Sequence, residues 1–394
     1  MREGQPGWRN GVLMLGHVAG MVDLVALPLW VGTLVQHHGM DFEHAGLTVT
    51  LFLLGAVCAS AALAPRFDRL PHRVCAIAGY SLAAVCLHSV SRATAVPVLF
   101  ALHAAAGVGT GTALSMVHGA MGRSVNPHRL FALAGTTLGV LGCAFYIVVP
   151  QIMAAAGRAS LFVAMGTLMA LAAVAALAFP HVGAGSPVAA HPQARTPLPA
   201  GVVTLVVGIV CLTLNQTVIF SFLERIGAAR GFSAGEVNAV LAAVGIVNLL
   251  PAALAAMLQH RLKPIPVAIA AITIQAGLAL TISCSATFAL YAAAASVYAS
   301  VLIFTHTFLF GLIARIDPSG RAAALTPAMV MVGSAIGPGL AGLISQRFGF
   351  AGLGGIAVIF AVIGIACFLR LRRQLAGAGA AVAPRSASAS ISSS

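Results

Sequence analysis

The sequence predicts an all-α polytopic membrane protein with twelve transmembrane helices arranged as two pseudo-symmetric six-helix bundles. Composition is the first observation behind this. Of 394 residues, 60% are apolar and 7% are charged, against roughly a quarter charged in soluble domains. The second is clustering. The apolar residues form runs near the ~20 residues that a bilayer core demands, without the alternation of barrel strands. The third is a repeat. At an offset of 192 residues Gly39 falls on Gly231, Arg69 on Arg261, Arg123 and Arg129 on Arg315 and Arg321, and Gly157 on Gly349. Two halves of parallel topology follow from it.

In chain order, span 1 (11–35) is too long for the apolar core of a cleavable signal peptide and carries Asp23 deep inside the run. Spans 2 and 3 (45–64 and 74–91) flank a short basic loop. Spans 4 (96–119) and 5 (130–153) are rich in glycine, and span 6 (160–179) stops at Pro180. The Pro/Gly/Ala/Ser stretch that follows has linker composition. Spans 7 to 12 (201–223, 235–258, 265–283, 288–313, 322–345 and 351–371) repeat the pattern. The domains are therefore an N-terminal bundle (1–180), a linker (181–200), a C-terminal bundle (201–373) and an Ala/Gly/Ser-rich tail (374–394) expected to be disordered.

Charge sets the topology. Of 21 Lys and Arg residues, Arg92, Arg158, Arg225, Arg230 and Arg347 fall on one side of the membrane and the other sixteen on the opposite side. The positive-inside rule then puts both termini, the linker and the tail in the cytoplasm of a cell with a cytoplasmic (inner) membrane. The arginines stand singly at the ends of apolar runs, so the basic balance does not indicate a nucleic-acid partner. The seven cysteines all lie inside apolar runs, which reads as packing rather than a disulfide framework or metal site. His37, His38 and His44, with Asp41 and Glu43, read as a solvated loop.

The loop after span 2 reads Ala64-Pro65-Arg66-Phe67-Asp68-Arg69-Leu70-Pro71-His72-Arg73. It resembles the loop signature of the major facilitator superfamily, with Ala64 and Pro71 at its glycine positions and His72 at an arginine. The resemblance implies a conformational latch built from Asp68, Arg69 and Arg73. In span 4, His103 stands where the family carries an arginine, ahead of Gly107, Gly109 and Gly111. Gly135, Gly139 and Gly142 in span 5 resemble the family's antiporter signature, although Val140 replaces its proline. Gly337-Pro338 in span 11 is a helix-bend element of the same kind, and Pro28-Leu29-Trp30 is similar to a feature of the drug/proton antiporter branch.

The resemblance implies a transporter, not an enzyme, and a central cavity lined by helices 1 and 4 among others. A charge at mid-membrane costs at least ~3 kcal/mol on insertion scales, which marks Asp23 as functional. At 1.5 Å per residue His103 lies at a similar depth, so the two are expected to form a proton-handling pair. The repeat mate of Asp23 is Asn215. Asn215, Gln216, Asn238, Asn248, Gln275 and His306 are the expected substrate contacts. No Lys or Arg lies at mid-membrane, which disfavours strongly anionic substrates. The expectation is a monomer in the lipid bilayer that carries a small neutral, lipophilic or cationic molecule by proton-coupled efflux, without cofactor or metal. Proton-coupled import is the alternative, and a membrane-embedded enzyme or a sensor is the alternative of a different class. No paired catalytic groups at membrane depth favour an enzyme.

Overall fold

The computed structural model describes residues 7–124, 126–180, 200–316 and 326–382, and every regular element in it is a helix. Most of the linker (181–199) and the last twelve residues of the tail (383–394) lie outside the described residues.

Span 1 is two helices, Gly7–Gly20 and Val22–His38, joined at Met21. Spans 2 to 6 are Phe42–Leu63, His72–Val90, Val96–Gly122, Pro127–Ala156 and Ser160–Ala175. Span 7 runs over Ala200–Phe220 and continues, after a turn, as Leu223–Ala229. Span 8 is likewise divided into Ala234–Val247 and Pro251–Leu258, and spans 9 and 10 are Pro264–Cys284 and Phe288–Ile316. Spans 11 and 12 lie in one stretch, Thr326–Val382, which breaks at Gly349 (φ 66°, ψ −177°). Counting both sides of that break gives the twelve segments.

Local chemistry explains several starts. Pro97, Pro127 and Pro264 stand in first turns, where a missing N–H costs nothing. Ser233 and Glu236 form a reciprocal capping box at the head of span 8. Asp41 does similar work at span 2, where its Oδ1 accepts the backbone N–H of His44 at 2.7 Å and the His44 ring closes on the same carboxylate at 2.8 Å. Slight burial pushes Asp41 up, but these bonds outweigh it and hold the carboxyl below its ordinary value. The last helix runs on to Val382, past the point at 374 where the sequence was expected to become a disordered tail. Four alanines in that extension favour helix.

Among the described residues the positive-φ positions are Gly39, Gly157, Gly231 and Gly349. These are two pairs of the 192-residue repeat, so the halves share their turn geometry as well as their spacing. The alternating glycines of span 4 serve two neighbours. Side chains at Gly107 and Gly111 would collide with the span 2 backbone at Phe52 and Ala56, and one at Gly109 with span 3 at Gly79. Close backbone approach of this kind is the usual basis of helix packing in lipid.

The two halves meet at the end of the molecule that carries the loop 39–41, called here the first-loop end. There the Phe42 ring lies 5.9 Å from Phe222 and 5.2 Å from Phe350, centroid to centroid. The Phe42 N–H donates to Gln346 Oε1 at 3.2 Å, and the Gly339 N–H donates to Thr50 Oγ1 at 2.9 Å. Further along, Gly139 of span 5 touches Leu249 of span 8. Toward the linker end Phe131 and Leu133 are exposed and nothing lies within 4 Å of where a Cβ of Gly135 would stand.

Candidate functional site

Span 1 is the most enclosed of the membrane segments. Between residues 18 and 34, Met21 and Leu24 are not buried, and both flank Asp23. The break at Met21 therefore opens a window in a buried helix at the level of its one acid. Asp23 is 9% exposed, and its Oδ1 makes no hydrogen bond within the protein. It stands in the first turn of the second helix, where backbone N–H groups lack intrahelical partners and the helix dipole favours an anion. A carboxyl in a low-dielectric break beside such donors can be held in either protonation state. Pro28 adds a second irregularity, since it cannot bond the Leu24 carbonyl.

His103 is not the partner of Asp23. It has no accessible surface, and its Nδ1 donates to the Leu99 carbonyl at 2.8 Å while its Nε2 accepts the Trp30 indole N–H at 3.1 Å. An indole is a donor only, so these two bonds fix the neutral tautomer. Trp30 lies seven residues beyond Asp23, about 10 Å along the helix, so the expected pair is not formed. Counting residues from the helix ends misplaces His103 because those ends, Gly7 and Gly122, are staggered rather than level. The contacts Trp30–His103 and Gly20–Leu114 fix the antiparallel register, and it sets Asp23 level with residues 110–112.

The same register brings His17 and His118 together. Their Nδ1 and Nε2 atoms are 2.9 Å apart across 101 residues of chain, with Phe131 against the His118 ring. Neither has an i, i+4 histidine partner, so no local pattern in the sequence could have paired them.

The expected substrate contacts separate into two groups. Asn215 has no exposed surface, and its Nδ2 donates to the Ala357 carbonyl at 3.1 Å while its Oδ1 accepts from Tyr298 at 2.9 Å. Gln275 Nε2 donates to Gln216 Oε1 at 2.8 Å, and both are buried. These amides tie span 7 to spans 9, 10 and 12. Asn248, Asn238 and His306 are half-buried. Asn248 Oδ1 accepts from Ser300 at 2.9 Å, and the His306 ring stacks on Phe310 with its Nε2 unbonded.

The loop after span 2 is a short 3-10 helix, Ala64–Arg69, pinned by Phe67. That ring is buried in the slot left by Gly119, stacks on His72 at 4.0 Å and lies under the Arg123 guanidinium at 4.6 Å. Arg69 and Arg73 are exposed, and the Asp68 side chain lies outside the described residues. Helix 11 stays helical through Gly337-Pro338 and reverses only at Gly349. Gly337 instead admits Thr217, and Gly142 comes near Val25.

At the first-loop end the sequence missed a charged contact. Arg158 Nη2 donates to Glu224 Oε1 at 2.9 Å, joining the loop before span 6 to the short helix that ends span 7. The sequence marks Arg158 only as a loop charge and does not single out Glu224, and nothing in their spacing links them.

No curated protein sequence matches the chain. Three solved structures show the same fold. The nucleoside transporter NupG aligns at 14% identity over 93% of this chain and 99% of its own, with a TM-score of 0.68. A D-xylose-proton symporter aligns at 15% identity over 92% and 96%, with a TM-score of 0.72. A bacterial homologue of the human lysosomal transporter Spinster, inward-facing and occupied, aligns at 14% identity over 94% and 98%, with a TM-score of 0.74. At such identities the likeness concerns the fold alone. Residues 12–326 match the profile of the Major Facilitator Superfamily. With twelve spans, a halved architecture and that match over most of its length, the chain belongs to the major facilitator superfamily, an integral membrane transporter and not an enzyme.

Proposed function

We propose that this protein exports a small neutral, lipophilic or cationic molecule across the cytoplasmic membrane by alternating access, and that protons drive it through Asp23. The carrying observation is the buried Asp23 carboxyl, with one oxygen unbonded, at the break in span 1 and beside the window at Met21 and Leu24. A carboxyl so placed costs too much to keep without a use. Asp23 carries the proton, and His103 positions span 1 through Trp30. The absence of mid-membrane Lys and Arg supports a substrate without strong negative charge. The sixteen-to-five asymmetry of basic residues supports a cytoplasmic linker end, which makes this conformation inward-facing. The half-buried His306 and Asn238, and Asn248 beyond its bond from Ser300, are the polar groups left for substrate. Asn215, Gln216 and Gln275 are engaged with one another, with Tyr298 or with backbone.

The test is accumulation of fluorescent and radiolabelled compounds in cells expressing wild type or Asp23→Asn at matched membrane levels, with and without a protonophore. Export lost to both the protonophore and the substitution supports the proposal. Protonophore-sensitive uptake would reassign the direction to symport. Equal transport by Asp23→Asn would remove Asp23 from coupling altogether.

A further inference from the structure

Glu224 is buried, with its side chain 8% exposed, and it lies where the two halves touch. The repeat offset of 192 residues carries Gly32 of span 1 onto Glu224 of span 7. These two positions are also in contact, since a methyl group at Gly32 would collide with Glu224 Oε2 and press on the Arg225 side chain. Spans 1 and 7 thus meet at equivalent points of the repeat, near the pseudo-twofold axis, with a bare backbone on one side and a carboxylate on the other. Arg158 reaches Glu224 from the first half, and the Arg225 guanidinium sits 6.0 Å from the Phe42 ring, again across the halves.

The pair is sparsely bonded. Arg158 gives one hydrogen bond, while its Nη1 and Glu224 Oε2 make none within the protein. A brace built for stability would be bidentate with its remaining lone pairs satisfied. A buried ion pair with unmet bonding gains little net stability, yet loss of one partner leaves an uncompensated charge. That combination suits a contact made and broken in each cycle.

We infer that Glu224, held by Arg158 and seated on Gly32, is the positioning residue that keeps the first-loop end closed, and that opening this end requires the pair to part. Gly32 is nine residues from Asp23, about 13 Å along the same span, so a shift of span 1 at its Met21 break reaches Glu224 directly. The inference rests on the alternating-access part of the proposed function and not on proton coupling.

The experiment is disulfide cross-linking between Phe42→Cys and Phe350→Cys, in a chain whose seven native cysteines are replaced by alanine, without substrate or gradient. Cross-link yield reads closure of the first-loop end. Glu224→Gln and Arg158→Gln should each shift the closed-to-open ratio about tenfold toward open, and the double variant no further than either single one. Gly32→Ala keeps every charge and should also open this end, whereas in a Glu224→Ala background the added methyl should change nothing. Yields unchanged in the charge variants would overturn the inference. So would a Gly32→Ala effect of equal size in both backgrounds, since the methyl would then act through packing alone. Because the readout needs no proton gradient, its failure and that of Asp23 coupling are separate results.

Discussion

Asp23 and Asn215 occupy the same rung of the two halves, and their surroundings differ completely. Asn215 is enclosed, bonded to Tyr298 and to the Ala357 carbonyl, and holds three spans of the second half together. Asp23 sits in a broken helix with one oxygen unbonded and partly open residues on either side. The repeat has kept the scaffold, as the paired positive-φ glycines show, while the equivalent polar positions have taken opposite tasks. One half is fastened where the other is left free. An isosteric exchange of acid and amide should therefore have opposite consequences at the two sites.

The largest effect is expected from Asn215→Asp. A carboxylate there would face the Ala357 carbonyl, which can accept but not donate, in a site without solvent. The cost of an unpaired intramembrane charge is ~3 kcal/mol or more, so folded protein in the membrane should fall severalfold and the detergent-solubilised remainder should melt well below wild type. Asp23→Asn should leave the melting temperature nearly unchanged while abolishing gradient-driven transport. If both substitutions proved equally harmless to folding, the asymmetry drawn between the halves would be wrong. Asn215→Ala comes next, because it strands the Tyr298 hydroxyl and the Ala357 carbonyl. A loss of about 2 kcal/mol follows from the usual cost of unsatisfied buried groups, and transport by the surviving protein should keep its protonophore sensitivity.

A smaller effect tests whether His103 only positions span 1. Trp30→Phe leaves His103 Nε2 without its donor, at a cost of about 1–2 kcal/mol. If His103 only positions span 1, the pH profile of transport should stay where it is while the thermal midpoint drops. A displaced pH profile would mean that the freed imidazole has joined proton transfer, which would restore the pair expected from the sequence.

Most of the fold was legible in the sequence because its causes are local or additive. Run length fixes the spans, arginine asymmetry orders the loops, and the fixed offset of Gly39, Gly157 and the loop arginines reveals the two halves. What escaped depends on register between distant spans. Asp23 stands out by composition alone, but counting depth from helix ends misplaces its neighbour by about two helical turns, because the ends of spans 1 and 4 are staggered and only packing sets that stagger. His17–His118 and Arg158–Glu224 join residues 101 and 66 positions apart, and no period or motif encodes such pairs. The amides were visible as residue types, yet the choice between substrate contact and interhelical clamp depends on which side chains close around them. Asn215 shows that the clamp can take even the symmetry mate of a functional acid.

The smallest effect bears on what the halves still share. Gly39 and Gly231 end spans 1 and 7 at φ 66° and 81°, and neither has a neighbour within 4 Å of where a Cβ would stand. An alanine at either position meets no steric obstacle, so its only penalty is the left-handed backbone, about 1–2 kcal/mol. Gly39→Ala and Gly231→Ala should therefore lower the thermal midpoint by equal amounts, and the double variant should lose the sum, because the sites are distant and share no partner. Cross-linking between Phe42→Cys and Phe350→Cys should stay intact in both. Unequal losses would mean that one of the loops takes part in closing the first-loop end, and Gly39, two residues from the Asp41 cap and three from Phe42, would be the one implicated.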